Sequence, residues 1–308
     1  MMDQNQYKTD RKIPLKAWMG SEQNQDVFNP PCKVLLLDGG VSTFLEKKVE
    51  KFNHNELWSS SLLFERNGQK AIQECHETFY KVGLCDIIST VTYQCHYLNC
   101  PQHGNNVKDW PKSEIFNESE IDELLQRGIQ LANEARRLTN QDSAVQKMTR
   151  YITASIGCYG GALADGSEYR GNYGITVQDL ISFHKRRFDI FLSNPNIDGI
   201  VFETIPCVVE CEAIISLLSQ GINKAVWISM ACRDGEHLND GSALTVALDR
   251  IDQLDPHAQL VDGVGVNCCS LKYGKISQSM CQRISKYLSF FFQHQNLKIH
   301  NFDCITFS

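Results

Sequence analysis

The amino-acid sequence predicts an α/β fold, a (β/α)8 TIM-type barrel. Three observations carry that expectation. Short apolar runs of strand length alternate with stretches of helical length six times between Lys33 and Phe292. The runs are apolar throughout rather than alternating, as suits parallel strands covered on both faces. Asp38, Gln94, Gly157, Glu203, Arg233 and Asn267–Cys268 each follow a different run. Periodicity alone fits a doubly wound open sheet equally well. Only a barrel gathers all such strand ends on one rim, so the barrel is preferred.

Residues 1–32 read as an irregular N-terminal extension that closes on Pro30-Pro31. Lys33–Leu37 is the first strand, ending on Asp38-Gly39-Gly40, and Glu56–Val82 is a helix. The run Asp86–Val91 forms a strand that leads to Thr92-Tyr93-Gln94. A helix follows from Ser113 to Leu138, with acidic residues in its first turns where the dipole favours them. Tyr151–Ile156 is a strand, Gly157–Gly174 a glycine-rich loop, and Thr176–Leu192 a helix. Gly199–Phe202 is a strand ending on Glu203, followed by a helix over 208–219. Ala225–Met230 and then Asp262–Cys269 supply two more strands, with helices over Gly241–Leu254 and Ile276–Phe292. Residues 33–308 are therefore expected to form one barrel domain of about six to seven β/α units. It is expected to be incomplete at the C-terminus, truncated before the eighth unit.

Composition narrows the functional class. The chain has 308 residues, of which 42% are hydrophobic and 21% charged, with a net charge of −6 and no long basic block. That balance disfavours a nucleic-acid surface. No apolar run is long enough to span a bilayer, and the polar first twenty residues lack the core of a secretory signal. The 13 cysteines are irregularly spaced. Without an export signal they are expected as reduced thiols in the cytoplasm. Nothing specifies an oligomeric state.

Four segments carry groups suited to chemistry. Asp38-Gly39-Gly40 sets a carboxylate beside two backbone amides, either a tight turn or a seat for an amino acid. Glu203 follows an apolar run and precedes Pro206, a poor place for a merely solvated charge. Ser155–Gly174 holds six glycines and three tyrosines, a composition suited to close approach to a ligand. Cys268, at the end of a short strand, taken alone favours an inert buried thiol over a metal ligand or nucleophile. Of Cys268-Cys269 only one is expected to face a ligand, because neighbours on an extended strand point to opposite sides.

Seven segments in order then resemble the homocysteine S-methyltransferase family of zinc-dependent barrels. They are LLLDGG (35–40), LWSSSLL (57–63), DIISTVTYQ (86–94), ASIGCYGGALADGSEYRGNYG (154–174), FETIPCVVECEAI (202–214), ISMACRDGEHLNDGS (228–242) and GVGVNC (263–268). The resemblance implies methyl transfer from S-methylmethionine or S-adenosylmethionine to the homocysteine thiol, forming methionine. It also implies that Asp38, Gly39 and Glu203 bind the amino-acid part of homocysteine, that Tyr93 and Gln94 line the pocket, and that Cys268 is a Zn2+ ligand. The family's adjacent cysteine pair in a G-G-C-C segment has no counterpart here, and His300 and Cys304 match nothing in the family. A non-catalytic amino-acid-binding or regulatory homologue is the alternative.

Overall fold

A computed structural model of the chain describes residues 15–16, 35–49, 57–99, 117–145 and 148–269, and the backbone of 290–293. Six parallel strands lie in the order of the chain: β1 (Ile87–Ser89), β2 (Tyr151–Gly157), β3 (Gly199–Ile205), β4 (Ala225–Ala231), β5 (Gly263–Asn267) and β6 (Phe290–Gln293). On the outer side of β1, Leu37 forms a parallel bridge to Ile87. Among the described residues the order never reverses, so this sheet winds in one direction like part of a TIM-type barrel, without the switch point of a doubly wound sheet.

Side chains alternate cleanly between two faces. Ile88, Ile152, Ile200, Val226 and Val264 pack outward into the main core with the helices. Ile87, Tyr151, Val201, Ala225 and Trp227 face the other way and form a smaller cluster closed by Leu15. Further along each strand the same inner rows turn polar, with Ser89, Thr153, Ser155, Glu203, Ser229 and Asn267. The inner face is thus an apolar floor at the strand starts and a polar rim at the strand ends. The pairs Ser89–Thr153 and Gly157–Glu203 are in register across neighbouring strands, which makes that rim continuous.

The floor is braced by charge. Asp86, Asp198 and Asp262 stand just before β1, β3 and β5. Each carboxylate accepts a backbone N–H from the segment paired before it: Leu36, next to the Leu37 bridge, at 2.8 Å, Ile152 of β2 at 2.9 Å and Val226 of β4 at 2.9 Å. Lys16 reaches Asp262 at 2.9 Å and so ties the segment carrying Leu15 to this floor.

The outer layer contains α1 (Val41–Glu46), α2 (Arg66–Lys81), α3 (Glu118–Gln141), α4 (Tyr159–Leu163), α5 (Val177–Ser193), α6 (Val208–Leu217) and α7 (Leu244–Leu254). No helix among the described residues is long and apolar enough to cross a membrane.

Several expected boundaries are corrected. The helix expected over Glu56–Val82 is divided. Trp58–Leu63 is a 3-10 turn, and Glu65 is extended at φ −107° and ψ 143°, so α2 begins afresh at Arg66. The third helix starts at Glu118 because Asn117 is its cap, accepting from Ser119 and Glu120 N–H while Glu120 returns a bond to Asn117 N–H. Positions 113–116 lie outside the described residues. The glycine-rich loop contains α4 and a 3-10 turn at Ser167–Tyr169. Phe290–Phe292 was expected at the end of a helix, but Phe290–Gln293 pairs with β5 as a strand, in line with the high strand propensity of three consecutive phenylalanines. Residues 276–289 of that expected helix are outside the described set, as are His300 and Cys304.

Candidate active site

The rim gathers Asp38, Tyr93, Glu203 and Cys268. Asp38 follows the Leu37 bridge and donates its own N–H to Ile87 O at 3.0 Å. Its Oδ2 accepts from Ser89 N–H at 3.0 Å, which turns the carboxylate across the top of β1. Gly40, at φ 64°, supplies the left-handed residue from which α1 departs. Burial pushes the Asp38 carboxyl up to about 7, and the charge of Glu203 adds to that rise. Those two carboxyls therefore sense each other across the rim. Burial raises Glu203 as well.

Tyr93 is placed by the absence of side chains opposite it. A Cβ at Gly157 would stand 2.3 Å from Tyr93 O, and one at Gly161 would stand 2.8 Å from Tyr93 Oη. Glycine is required at both points for the ring to lie against the loop. The phenol meets the Cys158 thiol at 3.6 Å, and that sulfur accepts from Gly161 N–H at 3.2 Å, capping α4. Cys158 thus packs beneath Tyr93. Gln94, next in sequence, is buried.

Glu203 was expected at the end of its strand. It lies inside β3 instead, where the register slips between Phe202 and Ile205. Ser155 donates its hydroxyl to Glu203 Oε1, and Asn267 Nδ2 approaches Oε2 at 3.5 Å. Thr204 adopts φ 63° and Cys268 φ 51°. Cys268 has therefore left the extended strand, which ends at Asn267, and the alternation expected of Cys268 and Cys269 does not apply. Its sulfur lies 3.7 Å from Thr204 Oγ1 and 3.6 Å from Asn267 Nδ2. Burial pushes that thiol up to about 12, so it becomes a thiolate only beside a cation.

The described residues do not by themselves fit a closed zinc centre. No three His, Cys, Asp or Glu side chains among them converge on one point, whereas a structural or catalytic zinc needs three or four protein ligands. Cys268 contributes one soft donor.

Behind the rim lies a charged cluster that sequence reasoning missed. Arg187 and His184 of α5 and Glu210 of α6 are all fully buried. Arg187 donates to Gly157 O at 3.2 Å and to His184 Nδ1 at 3.1 Å. Arginine has no acceptor, so Nδ1 is unprotonated and Nε2 carries the hydrogen given to Glu210 Oε1 at 2.9 Å. Glu210 also accepts from Tyr159 N–H at 2.7 Å. Burial lowers His184, consistent with a neutral ring. The cluster grips both sides of the Gly157–Tyr159 turn that carries Cys158. Its only signal in the sequence is a run of bases, His184 to Arg187, on a helix with large apolar neighbours.

The family model for homocysteine S-methyltransferase matches residues 35–296. Homocysteine S-methyltransferase YbgG of Bacillus subtilis (strain 168) is 34% identical over 242 residues, which are 78% of this chain and 70% of that protein. A betaine-homocysteine S-methyltransferase of Drosophila melanogaster is 33% identical over 244 residues, covering 76% and 70%. The crystal structure of the homocysteine methyltransferase MmuM from Escherichia coli, metallated form, superposes with a TM-score of 0.70 at 28% identity, covering 85% of this chain and 83% of that one.

Proposed function

The chain belongs to the homocysteine S-methyltransferase family, and we propose that it transfers a methyl group from S-methylmethionine or S-adenosylmethionine to the homocysteine thiol, forming methionine. The observation that carries this reading is the placing of two carboxyls on one rim, Asp38 buried and Glu203 half-buried, with the charge of Glu203 adding to the cost of ionising Asp38. An ammonium between them relieves that cost, and amino-acid substrates supply one. Asp38 and Glu203 accept the ammonium hydrogens, the amides of Gly39 and Gly40 receive the carboxylate, and Tyr93 and Gln94 line the pocket. The homocysteine sulfur, as thiolate, attacks the methyl carbon in line. A new S–C bond forms as the sulfonium S–C bond breaks, and the donor leaves as a neutral thioether.

Zinc is the metal we assign, with Cys268 as one thiolate ligand. We take 33–308 as one (β/α)8 TIM-type domain preceded by the extension 1–32, a reading supported by the unidirectional strand order. We place the protein in the cytoplasm, in keeping with nine free thiols among the described residues.

Methionine formation from homocysteine, measured with each sulfonium donor and with betaine, with and without added zinc, tests the proposal. Turnover with a sulfonium donor supports it, and well-folded protein inert under every condition overturns it. A second reading, an amino-acid-binding homologue without transfer, is favoured by the lack of a metal-holding group among the described residues. Homocysteine binding that a chelator leaves unchanged, without methionine formation, selects it.

A further inference from the structure

Thr204 is the most strained residue of the rim. A β-branched side chain at φ 63° is a true outlier, and such a conformation persists only where its surroundings impose it. Here one side chain bonds both the backbone and the hydroxyl of that residue. Asn267, 2% exposed, reaches from the end of β5 across β4 to β3. Its Oδ1 accepts from Thr204 N–H at 3.0 Å and from Ser229 Oγ at 3.0 Å. Its Nδ2 donates to Thr204 Oγ1 at 2.8 Å, and its remaining hydrogen faces Glu203 Oε2 at 3.5 Å and Cys268 Sγ at 3.6 Å. A backbone N–H only donates, so the amide orientation is unambiguous, and all four of its bonding positions are engaged.

The consequence lies in the register of β3. Phe202 pairs with Ile228 and Ile205 with Met230, so β3 spends one more residue than β4 over this span. Phe202 and Ile205 therefore both point outward into the main core, while Glu203 stays on the inner side with Val201. In a regular strand a one-residue slip moves side chains to the opposite face. Either Glu203 or Ile205 would then be misplaced.

We propose that Asn267 is a positioning residue, clamping Thr204 in its left-handed conformation so that Glu203 and Cys268 are held together on the rim. Its effect on substrate rests on the homocysteine reading above. Its effect on the backbone does not, and the test uses both.

In Asn267→Ala, hydrogen exchange at the Thr204 amide should accelerate about tenfold or more, and homocysteine affinity by calorimetry should fall by a similar factor. Adding Thr204→Gly, which takes positive φ without a clamp, should return affinity to within about threefold of Thr204→Gly alone. That rescue separates positioning from a general loss of stability. The proposal is overturned if Asn267→Ala binds homocysteine like the parent with Thr204 exchange unchanged, or if the double variant stays as weak as Asn267→Ala. Should Asn267→Ala fail to fold, the double variant decides: a folded, binding double supports the clamp, and an unfolded one overturns it. If the parent protein itself binds no homocysteine, the functional reading fails, and the exchange rates alone still decide the clamp.

Discussion

Asp38 sits at the pH where its own charge is in play. Burial holds its carboxyl near 7, so in the free protein it is largely protonated below that value and ionised above it. A ligand ammonium pairs with the ionised form alone. Homocysteine affinity should therefore rise with pH, by up to about tenfold per unit below 7, and level off above it. Calorimetry from pH 5.5 to 8 checks the slope, and Asp38→Asn should bind weakly with that slope removed. The same shift runs the other way for folding. A carboxyl raised in the native state stabilises the fold least once pH passes its native value, so Asp38→Asn should be more stable than the parent above pH 7. How much of the site was legible divides at this scale. Asp38, Gln94, Glu203 and Cys268 stood out because each follows an apolar run, and strand ends are where a barrel collects its polar groups; Tyr93 entered through the family resemblance. Thr204 did not, because a positive φ at a β-branched residue leaves no mark in composition, and Asn267 was legible only as a residue at a strand end, not as the partner of Thr204.

Two helices and one turn depend on a buried chain of hydrogen bonds in which neutral His184 bridges the charges of Arg187 and Glu210. Arg187 and His184 from α5 meet Glu210 from α6, and between them they hold Gly157 O and Tyr159 N–H. Removing one charge leaves the other buried and uncompensated. Glu210→Ala should cost about 3–5 kcal/mol in denaturant unfolding, whereas replacing Arg187 and Glu210 together by apolar residues should cost clearly less than the sum of the single changes. Strict additivity in that cycle would show that the pair is not coupled. At the element scale the sequence was read well wherever amphipathic period and caps agree, as in α5, where Thr176 and Asp179 form a capping box. It was read poorly where they conflict. The serine-rich stretch 59–61 has helical spacing but forms a tight 3-10 turn that ends at an extended Glu65. Residues 290–292 were assigned by spacing to a helix, although their aromatic character belongs in a sheet.

Across the whole molecule, the one-way strand order was legible because every run ended in a residue suited to a common rim. The floor was not. Its aspartates look like ordinary turn residues until each is seen reaching the strand before it. Asp262 closes this pattern, holding Val226 N–H and Lys16 at once. Asp262→Ala should lower stability by about 1–3 kcal/mol, read from the denaturant midpoint, by leaving a strand N–H without its acceptor. An unchanged midpoint would mean that the floor is held by its apolar cluster alone. The three braces also impose a direction in time. The acceptor for each braced strand is encoded at the start of a later one, so no braced unit is self-sufficient when it is made. A chain leaving the ribosome amino end first offers these three N–H groups their carboxylate only once the residue opening the neighbouring strand has emerged.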